Sequence, residues 1–134
     1  MASKEPVILN IPVSAGELLD RLSILKLKTE RINDPEKLQN VRREFEELNT
    51  VAENALEMTA EVKVLYSKLC DVNAQLWDIE DDIRRCETLG DFGADFIKLA
   101  RSVYLTNDKR ADFKREISVL SGSLIVDEKS YVGQ

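Results

Sequence analysis

Histidine is absent from this 134-residue chain, which removes the commonest general base and the commonest nitrogen ligand for a metal. Cysteine is scarce, with only Cys70 and Cys86. On the helix argued below they lie about 24 Å apart at 1.5 Å per residue, too far for a disulfide or a shared metal, so both are expected as free thiols. Cys86 falls on the apolar stripe. No G-x-S-x-G elbow and no glycine-rich phosphate loop occurs, so no cofactor is implied. No stretch is apolar enough to span a bilayer, and residues 1–13 lack the basic start and long apolar run of a signal peptide. The expectation is a cytoplasmic protein with no membrane insertion.

Glycine, proline and aromatic residues are also few: five, three and eight respectively. With 33% charged and 43% hydrophobic residues, that composition favours amphipathic helices over sheets. The length suits one domain with its own core. The net charge of −6 argues against nucleic acid as a partner, because phosphate neutralisation needs a concentrated basic surface. Charge is uneven along the chain. Residues 34–89 carry seven bases and fourteen acids, whereas residues 98–115 carry six bases and two acids.

Apolar spacing predicts an all-α fold. A β-prone run, Val7-Ile8-Leu9-Asn10-Ile11-Pro12-Val13, belongs to an extended arm over residues 1–13. Ser14-Ala15-Gly16-Glu17 fits a capping box that starts a helix carrying Leu18, Leu22, Leu25 and Ile32, widened by Leu19, Ile24 and Leu27. Such a broad face implies cover from more than one side. Asn33-Asp34-Pro35 ends that helix and opens another, with Asp34 as N-cap. Two heptad seams follow, Leu38, Val41, Phe45, Leu48, Ala52 and Ala55, then Val62, Leu65, Leu69, Val72, Leu76, Ile79, Ile83 and Cys86, with a break near Met58-Thr59. The simplest packing is a long antiparallel hairpin of these two helices. Gly90 caps the second, and two shorter C-terminal helices are expected. The first carries Phe96, Ile97, Ala100, Val103 and Tyr104, and the other, capped at Asn107-Asp108, carries Phe113, Ile117 and Leu120. The β-prone Leu124-Ile125-Val126 is a candidate for minor pairing with residues 7–11, and residues 127–134 form a polar tail.

Three groups of side chains are candidates for chemistry. Glu44 and Glu47 on one seam helix, with Asp78, Asp81 and Asp82 on the other, are carboxylates one turn apart. They are similar to the Mg²⁺-holding pairs of all-α nucleotide pyrophosphatases. Their heptad positions point away from the seam, so a solvated acidic face is the favoured reading and no metal is assigned. Arg101, Tyr104, Asn107, Arg110, Lys114 and Arg115 form a basic cluster whose bases share helical rows with apolar residues. It is suited either to an anion such as phosphate or carboxylate or to ion pairs with Asp78, Glu80, Asp81 and Asp82, within the chain or across a dimer. Trp77 and Tyr66 lie off the a and d rows, where a large ring is covered by another helix or by a subunit interface.

The chain resembles a family of short bacterial and phage proteins catalogued as a domain of unknown function. The resemblance rests on Pro12-Val13-Ser14-Ala15-Gly16-Glu17-Leu18-Leu19-Asp20, on Leu76-Trp77-Asp78-Ile79-Glu80, on the run from Leu99-Ala100-Arg101 through Asn107-Asp108-Lys109-Arg110-Ala111, and on Asp127-Glu128-Lys129-Ser130-Tyr131. It implies an intracellular helical protein and an association with surface-glycan assembly, and it supplies no catalytic residues. The residues favour a non-enzymatic interaction or accessory protein, a homodimer with scope for another protein partner. The alternative is an anion-binding protein or enzyme using Arg101, Arg110 and Lys114, and a Mg²⁺-dependent pyrophosphatase stands third.

Overall fold

The computed structural model describes residues 5–133, which fold into four helices: α1 (Ala15–Arg31), α2 (Pro35–Ala55), α3 (Ala60–Leu89) and α4 (Ala94–Leu120). The local signals read from the sequence explain most of the helix ends. Ser14 Oγ accepts from the Glu17 amide at 3.0 Å. Only half of the expected capping box forms, because the Glu17 carboxylate turns to Arg21 and Lys114 instead of back to the cap. Asp34 accepts from the amides of Glu36 and Lys37, with Pro35 at the first helical position. Thr59 caps α3 through the Val62 amide, and Gly90, at φ 67°, closes it in the left-handed region open to glycine.

The expected pairing of the two seam helices is not what forms. No Cα of α2 comes within 8 Å of one in α3; α2 packs on α1, while α3 pairs most closely with α4. The antiparallel hairpin is therefore shifted by one helix, to α3–α4 across the turn at residues 90–93. The reason lies in α1. Its Leu18, Leu19, Leu22, Leu25 and Leu27 are all buried, and a helix apolar on that many sides needs neighbours on each of them. It takes α2 against one flank and α3 and α4 against others, separating the two heptad seams.

The C-terminal part also differs from expectation. The two shorter helices are one, α4, which runs through Asn107 and Asp108 without a break. Asn and Asp favour caps only while their side chains compete for backbone groups. Here Asp108 pairs with Lys129 at 3.0 Å and Asn107 faces Arg110, so neither caps the backbone, and packing along α3 carries the helix onward. No strand occurs among the described residues, so residues 7–11 and 124–126 form no β ladder. Residues 1–4 of the expected arm lie outside the described residues, and in the remainder Val7, Ile8, Leu9 and Ile11 are exposed.

The core lies at one end of the α3–α4 hairpin. Val62, Leu65, Leu69 and Val72 of α3 meet Leu18, Leu19 and Leu22 of α1, Ala52 of α2 and Ile117 of α4. Leu69 and Ile117 are fully buried. Beyond it the pattern changes: from residue 74 to residue 105 no residue is buried, although the α3 seam continues at unchanged spacing through Leu76, Ile79, Ile83 and Cys86. Past Trp77 and Asp78, which still meet α1, the distal part of the hairpin is a two-helix arm without a buried residue.

Candidate functional site

Where α1 crosses α4 the backbones touch, because Gly16 has no side chain. A Cβ there would sit 2.1 Å from the Lys114 carbonyl oxygen. The close approach places the first amides of α1, which no helical carbonyl can satisfy, against serines of the chain's far end. Ser118 Oγ accepts from Gly16 N at 3.0 Å, Ser123 Oγ accepts from Ala15 N at 2.9 Å, and Ser14 Oγ donates to Asp127 at 3.0 Å.

One turn along α1, the Asp20 carboxylate is 1% exposed. Arg110 holds it with two prongs, Nε to Oδ1 at 2.9 Å and Nη2 to Oδ2 at 2.5 Å, and Asn73 Nδ2 donates to Oδ1 at 3.0 Å. Asn73 also donates to Ser23 Oγ, which in turn donates to the Asp20 carbonyl. Three helices therefore share one buried polar network, and the carboxylate beside it pushes the Arg110 guanidinium above its ordinary value. Lys114 lies 2.6 Å from Glu17, and this hydrogen bond holds the Glu17 carboxyl below the ordinary value of 4.5 against the opposing effect of burial.

Of the six residues in the predicted basic cluster, Tyr104, Asn107, Arg110 and Lys114 line one open groove of about 880 Å³ between α4 and the C-terminal tail. Arg101 is exposed outside it. Arg115, also outside, pairs with Glu128 at 3.1 Å. The tail brings acids to the same place, with Asp127 4.0 Å from Lys114. Arg110 and Lys114 thus pair with Asp20 and Glu17 of α1, not with the acids of α3. An incoming anion would have to displace Asp20 or Glu17 to reach them. Glu44 and Glu47 are not grouped with Asp78, Asp81 and Asp82, since no Cα of α2 comes within 8 Å of one in α3. Among the described residues no three acidic or cysteine side chains are grouped to hold a metal.

Trp77 is half-buried beside Ile24 and Leu27 of α1, with the Arg31 guanidinium 5.7 Å from its ring while Arg31 also reaches Asp78 at 2.5 Å. Tyr66 packs at the edge of the core, and burial raises its phenol to about 12 and raises the neighbouring Cys70 thiol as well. Tyr66 therefore flanks the core, whereas Trp77 lies beyond it against the C-terminal half of α1. Sequence reasoning missed Asp20, Asn73 and Gly16. A signal for two of them was present, since Gly16, Asp20 and Ser23 follow one another at spacings of four and three, a small-and-polar row beside the leucine face.

A model of a family of unknown function (DUF6165) matches residues 9–134. No curated protein and no solved structure matches the chain.

Proposed function

The chain belongs to the DUF6165 family of unknown function, and on that premise we propose that it is a non-enzymatic helical interaction protein that works as a homodimer. The observation that carries this reading is the α3–α4 arm, in which residues 74–105 include no buried side chain although the α3 seam continues through Leu76, Ile79, Ile83 and Cys86. A sequence patterned for burial over a stretch that the lone chain covers only in part is suited to a partner surface. The surface area agrees. The chain exposes 9845 Å², whereas a compact monomer of 15.2 kDa exposes about 7,100 Å². Part of the excess lies in the arm and part in residues 5–13 and 124–133, which are also largely exposed.

The anion-binding alternative is the weaker reading, because the two bases best placed for it, Arg110 and Lys114, are already neutralised by Asp20 and Glu17. The buried network looks like a clamp that sets the crossing of α1, α3 and α4, and through it the direction of the arm. Sedimentation equilibrium tests the proposal: a dimer at micromolar concentration is expected, and a monomer persisting at high concentration overturns it.

A further inference from the structure

A pocket of about 360 Å³ opens where α1 and α3 run side by side, with Arg110 of α4 in its wall. Its apolar surface comes from Ile24, Leu27, Leu76 and the Trp77 ring. One turn before Trp77 on the same face of α3 lies Asn73, the most buried polar residue of the lining at 5% exposed. The clamp fixes which way its amide is turned. Nδ2 donates to Asp20 Oδ1 at 3.0 Å and to Ser23 Oγ at 2.7 Å, and the Ser23 proton is already given to the Asp20 carbonyl, so both partners can only accept. The Asn73 amide oxygen is therefore turned off the network. It accepts no hydrogen bond from the described residues, yet it is not sealed inside the protein.

An acceptor left open on a largely buried residue of a pocket wall calls for a donor from outside the chain. The charges around it call for no ion. Arg110 is held by Asp20, Arg31 beside the Trp77 ring is held by Asp78, and Arg84 lies 4.0 Å from Glu80. Asp81, exposed at the rim, has no ion pair among the described residues, which disfavours an anion. We propose that this pocket binds a small neutral molecule with a flat aromatic or heteroaromatic body and an N–H donor at its edge. The ring packs among the aliphatic side chains and Trp77, and the N–H donates to Asn73 Oδ1. Ligand pockets span roughly 300–1,000 Å³, so this one suits a molecule of one or two rings. The site is complete within one chain and does not depend on the dimer reading above.

Benzamide is the probe, and acetophenone, which carries a methyl where benzamide carries its amino group, is the matched control. Trp77 is the sole tryptophan of the sequence, so the nitrogen–proton correlation spectrum of the full chain reports the pocket through a single indole N–H resonance. The Asn73 side-chain amide reports the polar contact. Benzamide should shift both resonances with a Kd on the order of millimolar, the scale of a ligand this small. Acetophenone should bind about fivefold more weakly, the worth of one neutral hydrogen bond. Ile24→Phe, which fills the pocket from its half-buried wall, should abolish the benzamide shifts while far-UV circular dichroism stays unchanged. Should that variant fail to fold, the comparison of the two probes on the wild-type chain decides. No Trp77 shift at about ten times the expected Kd, acetophenone binding as tightly as benzamide, or shifts that persist in a folded Ile24→Phe variant would each overturn the proposal.

Discussion

Arg110 grips Asp20 through two parallel hydrogen bonds at the point where α1 crosses α4, joining residues 90 positions apart in the chain. Such a pair is weak evidence of added stability, because removing two charges from water costs much of what their attraction returns. Removing one partner is another matter. Asp20→Ala should leave a half-buried guanidinium and an Asn73 amide without their shared acceptor, at a cost of about 3 kcal/mol. Replacing the pair together, Asp20→Leu with Arg110→Met, should be distinctly less destabilising than the single change. Urea unfolding of the three proteins makes the comparison.

The lysine one turn further along α4 gives a pH-dependent counterpart. Glu17 has its folded pKa below the ordinary 4.5, with the Lys114 hydrogen bond as the largest cause. A depressed carboxylate contributes stability that is fully present above about pH 4.5 and is lost as the pH falls through the folded value. Lys114→Met should therefore be less stable than wild type near neutrality, and the gap attributable to this pair should close in acid. Thermal melts from pH 7 down to pH 3 would show the two curves converging. Curves that stay parallel would remove Glu17 as the origin of the difference.

Much of the architecture was legible in the sequence, and the parts that were not share a cause. Local chemistry reported itself: Ser14, Asp34, Thr59 and Gly90 mark helix ends because each satisfies or permits a particular backbone geometry. Heptad spacing marked α2 and α3 as helices with one apolar seam each. It could not say which helix would meet which seam, since Val41 or Phe45 is as apolar toward α1 as toward α3. Asn107 and Asp108 read as a cap because the sequence does not reveal that Lys129 returns to occupy the carboxylate. The basic cluster was read from residues 101–115 alone, and its meaning depended on Asp20 and Glu17 across a crossing that only Gly16 makes possible.

Gly16 supplies a prediction in which two effects oppose each other. Alanine is the better helix former by about 1 kcal/mol, so propensity alone favours Gly16→Ala. The added methyl, however, would meet the Lys114 carbonyl at 2.1 Å and Ser118 Oγ at 2.8 Å, and the first of these is backbone that cannot swing aside. Overpacking of this kind costs roughly 1–3 kcal/mol, and here it also pulls Ser118 from the Gly16 amide. The variant should melt below wild type, with weakened Asp20–Arg110 contact as the helices separate. A melting temperature at or above wild type would show that α1 and α4 can part without penalty.

Tyr66 provides the alkaline limit. Burial, together with Cys70 beside it, raises its phenol from 10.0 to about 12. A group whose folded value is raised contributes stability that is complete below the unfolded value and is lost as pH rises through the folded one. The contribution of Tyr66 should thus decline from about pH 10 upward and be exhausted beyond about 12. Because the ring is only half-buried, water screens part of the effect, and the slope should be shallower than for a fully enclosed tyrosine. Tyr66→Phe removes the titrating oxygen while keeping the ring against the core, so the variant should lose less stability than wild type between pH 10 and 12. Ultraviolet difference titration should show one late-ionising tyrosine fewer in the variant, and equal alkaline slopes in the two proteins would place the loss at another residue.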